Sequence, residues 1–443
     1  MTKWSLAYQL LRYYVKSAFY LFYQRVEADG LRNIPKKKPV IFAPNHQNAL
    51  IDPLAIIFTN PKQTVFLTRA DIFNNPILLK IFTFLKMLPV YRIRDGAENL
   101  KNNERIFNKS IEVLEAKASI ALFAEATHTD KRRLRSLKKA VPRIAFMAEE
   151  RNDFNLDLQI VPVGIYYEDY THSNSKLFVN YGKAFTIAEF KELYKKNPQK
   201  AFAAFREKLS EEIKALIIHI EDLEHYSIYE DIRLFYRPEM KKKLGIKSRK
   251  LKDSFKADKK TIELAEKAFL HGDNNIEVFG NQYKRIERGL KKQGLSLLYF
   301  TPACPGKLIL HSLVLLIGLP VFLYGFINGF LYYYFSMKFI RTIKDTQFHS
   351  SIKFGIGALA GPFLNLIPAF IFWAVTQNFQ WTLYYYLSLP LSAILANKYR
   401  YLFYSVRKKW KIVLMRWRKK KEYSMIIKSR EALLKQLDDL FFK

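Results

Sequence analysis

The chain has 443 residues, 49% of them hydrophobic and 15% aromatic, and a formal net charge of +33 from 73 Lys and Arg against 40 Asp and Glu. That length leaves room for two or three domains with their own cores, and the basic excess points to an anionic partner: an acidic carrier protein, a phosphorylated substrate, anionic lipid headgroups or nucleic acid. Nucleic acid is set aside, because no zinc-finger spacing, ribonucleoprotein motif or leucine zipper accompanies the charge, and the single cysteine, Cys304, excludes an intrachain disulfide and a cysteine-based metal cluster.

In chain order, the first pattern is WSLAYQLLRYYVKSAFYLF, residues 4–22. Trp4, Tyr8, Leu11, Val15, Ala18 and Phe22 recur at helical spacing, with Ser5, Gln9, Arg12 and Lys16 on another face. Two cations in the middle argue against a full span, so an interfacial amphipathic helix is expected over residues 1–30. A helix packed on the following domain is the other reading. No secretory signal is expected, since the charged start, apolar stretch and cleavage site do not occur in that order.

From residue 38 short apolar runs alternate with helical stretches. Strands are expected at 39–43, 64–68, 88–91, 119–124, 158–165 and 176–180, with helical patterns between most of them, notably at 99–117. This alternation predicts an α/β domain, a mostly parallel sheet with flanking helices, over residues 31–190. Residues 191–300 are charge-rich and helical in pattern. Within them KAFAAFREKLSEEIKALIIHIEDLEHY (200–226) reads as one long amphipathic helix, and KKKLGIKSRKLKDSFKADKK (241–260) as a solvated basic connector.

Residues 308–335 and 354–397 carry no charged side chain. A helix needs about 20 apolar residues to span a bilayer. The second run therefore fits two spans with a tip at 376–381. The first is expected to form a re-entrant hairpin turning near Gly318–Pro320. Residues 398–421 hold eleven Lys and Arg and no acid, with Leu402, Val406, Trp410, Val413 and Trp417 on one helical face. That is the pattern of a basic helix lying at a membrane surface. A helical membrane region over 301–421 and an amphipathic helix over 422–443 complete the expected organisation. The cation-rich loops 336–353 and 398–421 are expected on the cytoplasmic side.

Four blocks could carry chemistry. In APNHQNALIDPL (43–54), His46 follows a strand, and substrates of open α/β sheets bind at the C-terminal ends of strands. Asp52 before Pro53 reads as a helix N-cap. It also stands where its carboxylate could hold one imidazole nitrogen of His46 and leave the other to take a hydroxyl proton. In LPVYRIRDG (88–96), Arg92 and Arg94 follow a strand and suit a bidentate phosphate clamp. In LFAEATHTDKRRLRSLKKA (122–140), Glu125, Thr127 and His128 lead into a basic segment with Lys131, Arg132 and Arg133. In IVPVGI (160–165), Pro162 interrupts an apolar strand end and suggests the wall of an acyl pocket.

Together, in order and spacing, these blocks resemble the glycerolipid acyltransferase superfamily, which includes glycerol-3-phosphate and lysophosphatidic acid acyltransferases. The family's Asn-His-x4-Asp block is matched by Asn45, His46 and Asp52, its second-block arginine by Arg92, its Phe-Pro-Glu-Gly-Thr-Arg block by Phe123, Glu125 and Thr127, and its fourth-block proline by Pro162. Five residues rather than four separate His46 from Asp52. Ala124, Ala126 and His128 stand where the family has proline, glycine and arginine, so that arginine's role is not carried to His128.

The resemblance implies direct transfer of a fatty acyl group from acyl-CoA or an acyl carrier protein to a glycerol-phosphate acceptor, glycerol 3-phosphate or its lysophospholipid product. His46 would be general base, oriented by Asp52. Asn45, Arg92, Arg94, Glu125, Thr127, Arg132, Arg133 and Pro162 would bind substrate, and the 45–48 loop amides would form an oxyanion hole. No metal and no cofactor beyond the thioester are implied. The expected location is the inner cell membrane, with the catalytic domain facing the cytoplasm and anionic lipids as partners. The alternative is a non-catalytic basic scaffold or lipid-binding protein built on the same domain.

Overall fold

The structure, a computed structural model, describes residues 5–91, 102–125, 127, 129–270, 275–300 and 305–442. The chain divides into two compact units: residues 1–219 with 343–351, and residues 220–342 with 352–443.

The first unit is an α/β domain. Its elements run α1 (Leu6–Phe22), β1 (Arg25–Asp29), β2 (Val40–Pro44), α2 (Ile51–Thr59), β3 (Thr64–Arg69), α3 (Pro76–Phe84), β4 (Met87–Val90), α4 (Asn102–Glu115), β5 (Ser119–Leu122), α5 (Ala140–Arg151), β6 (Gln159–Tyr167), β7 (Lys176–Tyr181), β8 (Phe185–Thr186), α6 (Lys191–Lys196) and α7 (Pro198–Leu216). All six expected strands form. The strands align in the order β1-β7-β6-β2-β5-β3-β4, with β8 beside β6. Pairing is parallel except where β7 and β8 meet β6. The sheet is therefore mixed but mostly parallel, with helices on both sides in sequence.

Every residue of β2 and β6 is buried. Central strands of such sheets are covered on both faces, which is why they read as unbroken apolar runs rather than alternating ones. In the β2–β6 register Ala43 lies opposite Pro162 and Pro44 opposite Val163, so the two strands end side by side where the His46 loop begins.

The unit extends past the boundary expected at residue 190. Ala201, Phe205, Leu209 and Ile213 of α7 recur every fourth residue, and all four are fully buried in the sheet's core. One long helix over 200–226 does not form. Ile217 takes an extended conformation, and the β-branched Ile217, Ile218 and Ile220 are buried there. Such side chains are stiff at χ1 and sit poorly in a helix.

In α1 Tyr8 of the expected apolar face is buried, as is Phe19, which lay on neither expected face, and Arg12 of the expected polar face donates to the Ile57 carbonyl at 3.1 Å. Leu6, Leu10, Tyr13, Tyr14 and Leu21 are exposed on the outer side. The helix thus packs on its domain and still presents apolar side chains outward.

The second unit is helical: α8 (Tyr226–Lys243), α9 (Leu251–Leu270), α10 (Asn275–Lys292), α11 (Pro305–Asn328), α12 (Phe330–Thr342), and, after α13 (His349–Gly355), α14 (Gly361–Leu364), α15 (Leu366–Thr376), α16 (Phe379–Arg418) and α17 (Lys420–Phe442). The expected connector at 241–260 is a correction. Only 244–250 lies between helices, and the rest belongs to α8 and α9. The reason is electrostatic. Asp258, fully buried, holds Arg233 Nη1 at 2.5 Å and Arg237 Nε at 2.6 Å, so this stretch locks α9 to α8.

Two stretches are long and apolar enough to cross a membrane by length and composition, Pro305–Asn328 and Thr346–Thr376. The hairpin expected near Gly318–Pro320 is absent, because α11 runs through both residues unbroken. Proline costs the helix one donor but does not reverse it. The turn inside 376–381 falls at Gln377, which is left-handed at φ 52°, and Asn378, whose side chain accepts from Trp381 N at 3.1 Å. Gly325 lets α11 and α16 meet, since a Cβ there would lie 2.2 Å from the Ser392 carbonyl oxygen.

The apolar face of the basic stretch 398–421 also has another partner than expected. Val406 is buried with Leu308 and Leu315, and Leu402, Trp410 and Val413 pack around them. Trp410 Nε1 donates to Ser312 Oγ at 2.9 Å. This face therefore covers α11, and only Trp417, 81% exposed, stands free of it.

Candidate active site

The site forms where β2 ends. Pro44 closes the strand, and residues 45–50 turn into α2. Asn45 anchors the turn by imitating a strand neighbour: its Oδ1 accepts from Ile165 N at 2.7 Å and its Nδ2 donates to the Ile165 carbonyl at 3.2 Å. An Asn side chain carries both a donor and an acceptor, which this double bond requires. Asn45 thus fixes the loop to β6 with the same atoms that were expected to meet substrate.

Asp52 is fully buried at the second position of α2, not at its N-cap. Its carboxylate turns back onto the loop. Oδ2 accepts from His46 Nδ1 at 2.8 Å and from the backbone N–H of Gln47 and Asn48, both at 2.7 Å. Oδ1 accepts from the Tyr167 hydroxyl. A buried carboxylate without donors would be costly, and these four partners satisfy it. One consequence is chemical. With Nδ1 committed to Asp52, His46 can offer only Nε2 to a reacting group. The His46 ring also stacks on Phe123, with centroids 4.0 Å apart and planes at 18°.

Glu125 is the second buried carboxylate, 1% exposed. Oε1 accepts from His46 N at 2.8 Å and Oε2 from Arg135 N at 2.7 Å, so one side chain ties the His46 loop to the basic segment. Burial raises its pKa from 4.5 to about 7; the two backbone donors oppose this shift, and Asp52 adds to it.

A small cavity opens here, lined by Asn45, His46, Gln47, Glu125, Arg132, Arg133, Ile165, Tyr166, Ile217 and Ile218. Arg132 is buried, donates to the Tyr167 carbonyl at 2.8 Å and lies 5.0 Å from the Tyr166 ring centroid. Its guanidinium helps hold the segment in place. Arg133 is half-buried at the cavity wall.

Other expected site residues stand differently. Thr127 is half-buried two positions beyond Glu125. Pro162 lies lower in the sheet, and its carbonyl accepts from Gly182 N at 2.9 Å; the β6 residues at the cavity are Ile165 and Tyr166. Arg92, Arg94 and His128 lie outside the described residues.

The expected oxyanion hole is a correction. Asn45 N donates to the Val163 carbonyl at 3.3 Å, His46 N to Glu125, and Gln47 N and Asn48 N to Asp52. All four loop amides are committed to protein acceptors, because two buried carboxylates sit beside them. Arg132 and Arg133 both line the cavity, and Arg132 also donates to the Tyr167 carbonyl.

Tyr167 and Phe123 escaped the assignment of site roles. Phe123 could be matched to a block but gave no hint that it stacks on the base. Tyr167 stands on β6 just beyond the fourth block, a tyrosine at the end of a buried strand, where a hydroxyl needs a partner.

The raised pKa of Glu125 has a testable consequence for stability. Between about pH 4.5 and 7 the folded protein keeps a proton on this group that the unfolded chain has released, so stability from Glu125 is complete below that window and falls as pH rises through it. Glu125→Gln removes this dependence. The melting temperature of the wild type minus that of the variant should be smaller at pH 8 than at pH 5. An equal difference at both values would show that Glu125 does not titrate there.

Residues 25–166 match the family model Acyltransferase. Among solved structures, the chain is similar to the 1-acyl-sn-glycerophosphate (LPA) acyltransferase PlsC from Thermotoga maritima, at 21% identity over 47% of this chain and 80% of that one, with a TM-score of 0.34. No curated protein matches the sequence. The matched residues include the His46 loop, the Glu125 block and β6 up to Tyr166.

Proposed function

We propose that the chain transfers a fatty acyl group from an acyl-CoA or acyl carrier protein thioester to a hydroxyl of a glycerol-phosphate acceptor at a membrane. The observation that carries this reading is the His46–Asp52 pair at 2.8 Å beside a cavity lined by Arg132 and Arg133. A buried carboxylate on Nδ1 leaves Nε2 as the base, and cationic side chains suit a phosphate.

In this mechanism Nε2 takes the proton of the acceptor hydroxyl as its oxygen attacks the thioester carbonyl. The C–O bond forms, the C–S bond breaks, and the leaving thiolate takes the proton back from the imidazolium. Asp52 steadies the imidazolium while it exists. Arg132 and Arg133, together with Arg92 from the second block, would hold the acceptor phosphate. The net charge of +33 favours acidic donors and anionic lipid surfaces. The two apolar stretches at 305–328 and 346–376 support membrane association. Thioesters of CoA and carrier protein are cytoplasmic, so the catalytic domain would face that side.

Purified protein with labelled acyl-CoA and a panel of acceptors tests this reading. Labelled product should appear with glycerol 3-phosphate or lysophosphatidic acid, and thiol release should require the acceptor. His46→Ala should lower the rate by at least about 10²-fold, the low end for a lost general base. Thiol release without acceptor would indicate a hydrolase, and no release at all would favour a lipid-binding protein.

Tyr167→Phe gives a finer check. It deletes the hydroxyl that donates to Asp52 Oδ1 and leaves the ring in the core. A hydrogen bond to a charged group contributes about 1.5–3 kcal/mol. We expect kcat to fall about tenfold with little change in KM for either substrate. An unchanged kcat would remove Tyr167 from the support of Asp52.

A further inference from the structure

Residues 343–351 lie in the sheet-bearing unit, although the chain on either side of them, 220–342 and 352–443, forms the helical unit. Their contacts converge on one residue of the catalytic loop. Asn48 Nδ2 donates to Ser350 Oγ at 2.6 Å, 302 positions away. Ser351 Oγ donates to Asn48 Oδ1 at 2.6 Å and accepts from Leu50 N at 3.0 Å. Ser350 is 1% and Ser351 7% exposed, and Asn48 is fully buried.

Asn48 uses both ends of its amide on this pair. On the same loop residue, Asn48 Nδ2 also donates to the Tyr170 carbonyl at 3.4 Å. The segment is secured nearby as well. His349 Nε2 lies 3.2 Å from the Ile343 carbonyl oxygen and closes the segment on itself.

We propose that Ser350 and Ser351 are positioning residues for the transfer reaction. They hold the Asn48 side chain, and so fix the turn whose backbone N–H groups at Gln47 and Asn48 point at Asp52 Oδ2. Asp52 in turn holds His46. The chain of contacts runs Ser350/Ser351, Asn48, Asp52, His46, and each link is a hydrogen bond of 2.6–2.8 Å. The orientation of the base then depends on a segment that follows α12 directly and opens into the second apolar stretch. The kinetic part of this inference rests on the acyl-transfer reading; the clamp itself does not.

The test uses the full-length protein carrying Ser350→Ala and Ser351→Ala, with two readouts. Hydrogen exchange over residues 45–52 should be at least about tenfold faster than in the wild type, because the turn loses its anchor. In acyl transfer kcat should fall roughly 10- to 100-fold, the scale of a misplaced catalytic group, with both KM values within about twofold. Adding Asn48→Ala should cost little more, since the serines act through Asn48 and coupled residues are not additive. Ser351→Thr, which keeps the hydroxyl, should recover part of kcat, and each single alanine variant gives the same readouts if the double variant folds poorly.

Unchanged exchange over 45–52 overturns the clamp whatever the activity. Losses that multiply with Asn48→Ala, or a rise in KM alone, overturn the positioning role. A wild type that transfers no acyl group to any acceptor refutes the functional reading instead, and exchange still decides the clamp.

Discussion

A carboxylate without access to water must find its hydrogen bonds within the protein, and around Asp52 that need organises the site. The cost of burying such a charge is several kcal/mol unless donors surround it. The chain supplies an imidazole, two backbone amides and a tyrosine hydroxyl from a strand 115 positions away. The turn at 45–50 takes the shape that presents these donors. It follows that the loop amides cannot also serve a developing oxyanion, and that the orientation of His46 is set by the requirements of Asp52.

Glu125 extends the same logic one step outward. Its two oxygens accept from backbone groups on two different loops, and so the His46 turn and the basic segment are held at a fixed spacing. Arg132 closes the arrangement from the other side through the Tyr167 carbonyl. The tyrosine that supports Asp52 through its hydroxyl is thus itself held through its backbone. Together these contacts form a buried polar network. Such networks are rigid when fully satisfied and fragile when one member is lost.

The sheet was legible because buried central strands have a simple signature. PVIFA is an unbroken apolar run and LQIVPVGI one broken only by Gln159, and covering on both faces explains them. The His46–Asp52 pair was legible from spacing, although the residue type misled in detail: Asp before Pro suggested a cap, whereas the carboxylate was needed by the loop. Asn45 was read as a substrate ligand, and the spacing gave no sign that its side chain also bonds to the Ile165 backbone of β6. Tyr167, Ser350 and Ser351 were not legible, since their role arises only when β6 and a segment some 300 positions downstream are brought to the loop. In the helical unit a count of charges suggested solvated and interfacial surfaces at 241–260 and 398–421. Buried ion pairs around Asp258 and apolar packing against α11 used those stretches otherwise. Charge patterns report composition, and burial depends on which neighbour arrives.

The carboxylate of Asp52 holds the Nδ1–H tautomer of His46 and so leaves Nε2 unprotonated, the form that can act as the base. Nitrogen NMR of protein labelled in histidine, with the His46 signals assigned by their loss in His46→Gln, measures this directly. In alkaline solution, where imidazole is neutral, the account predicts a protonated Nδ1 and an unprotonated Nε2 for His46. A proton found on Nε2, with Nδ1 bare, would contradict it.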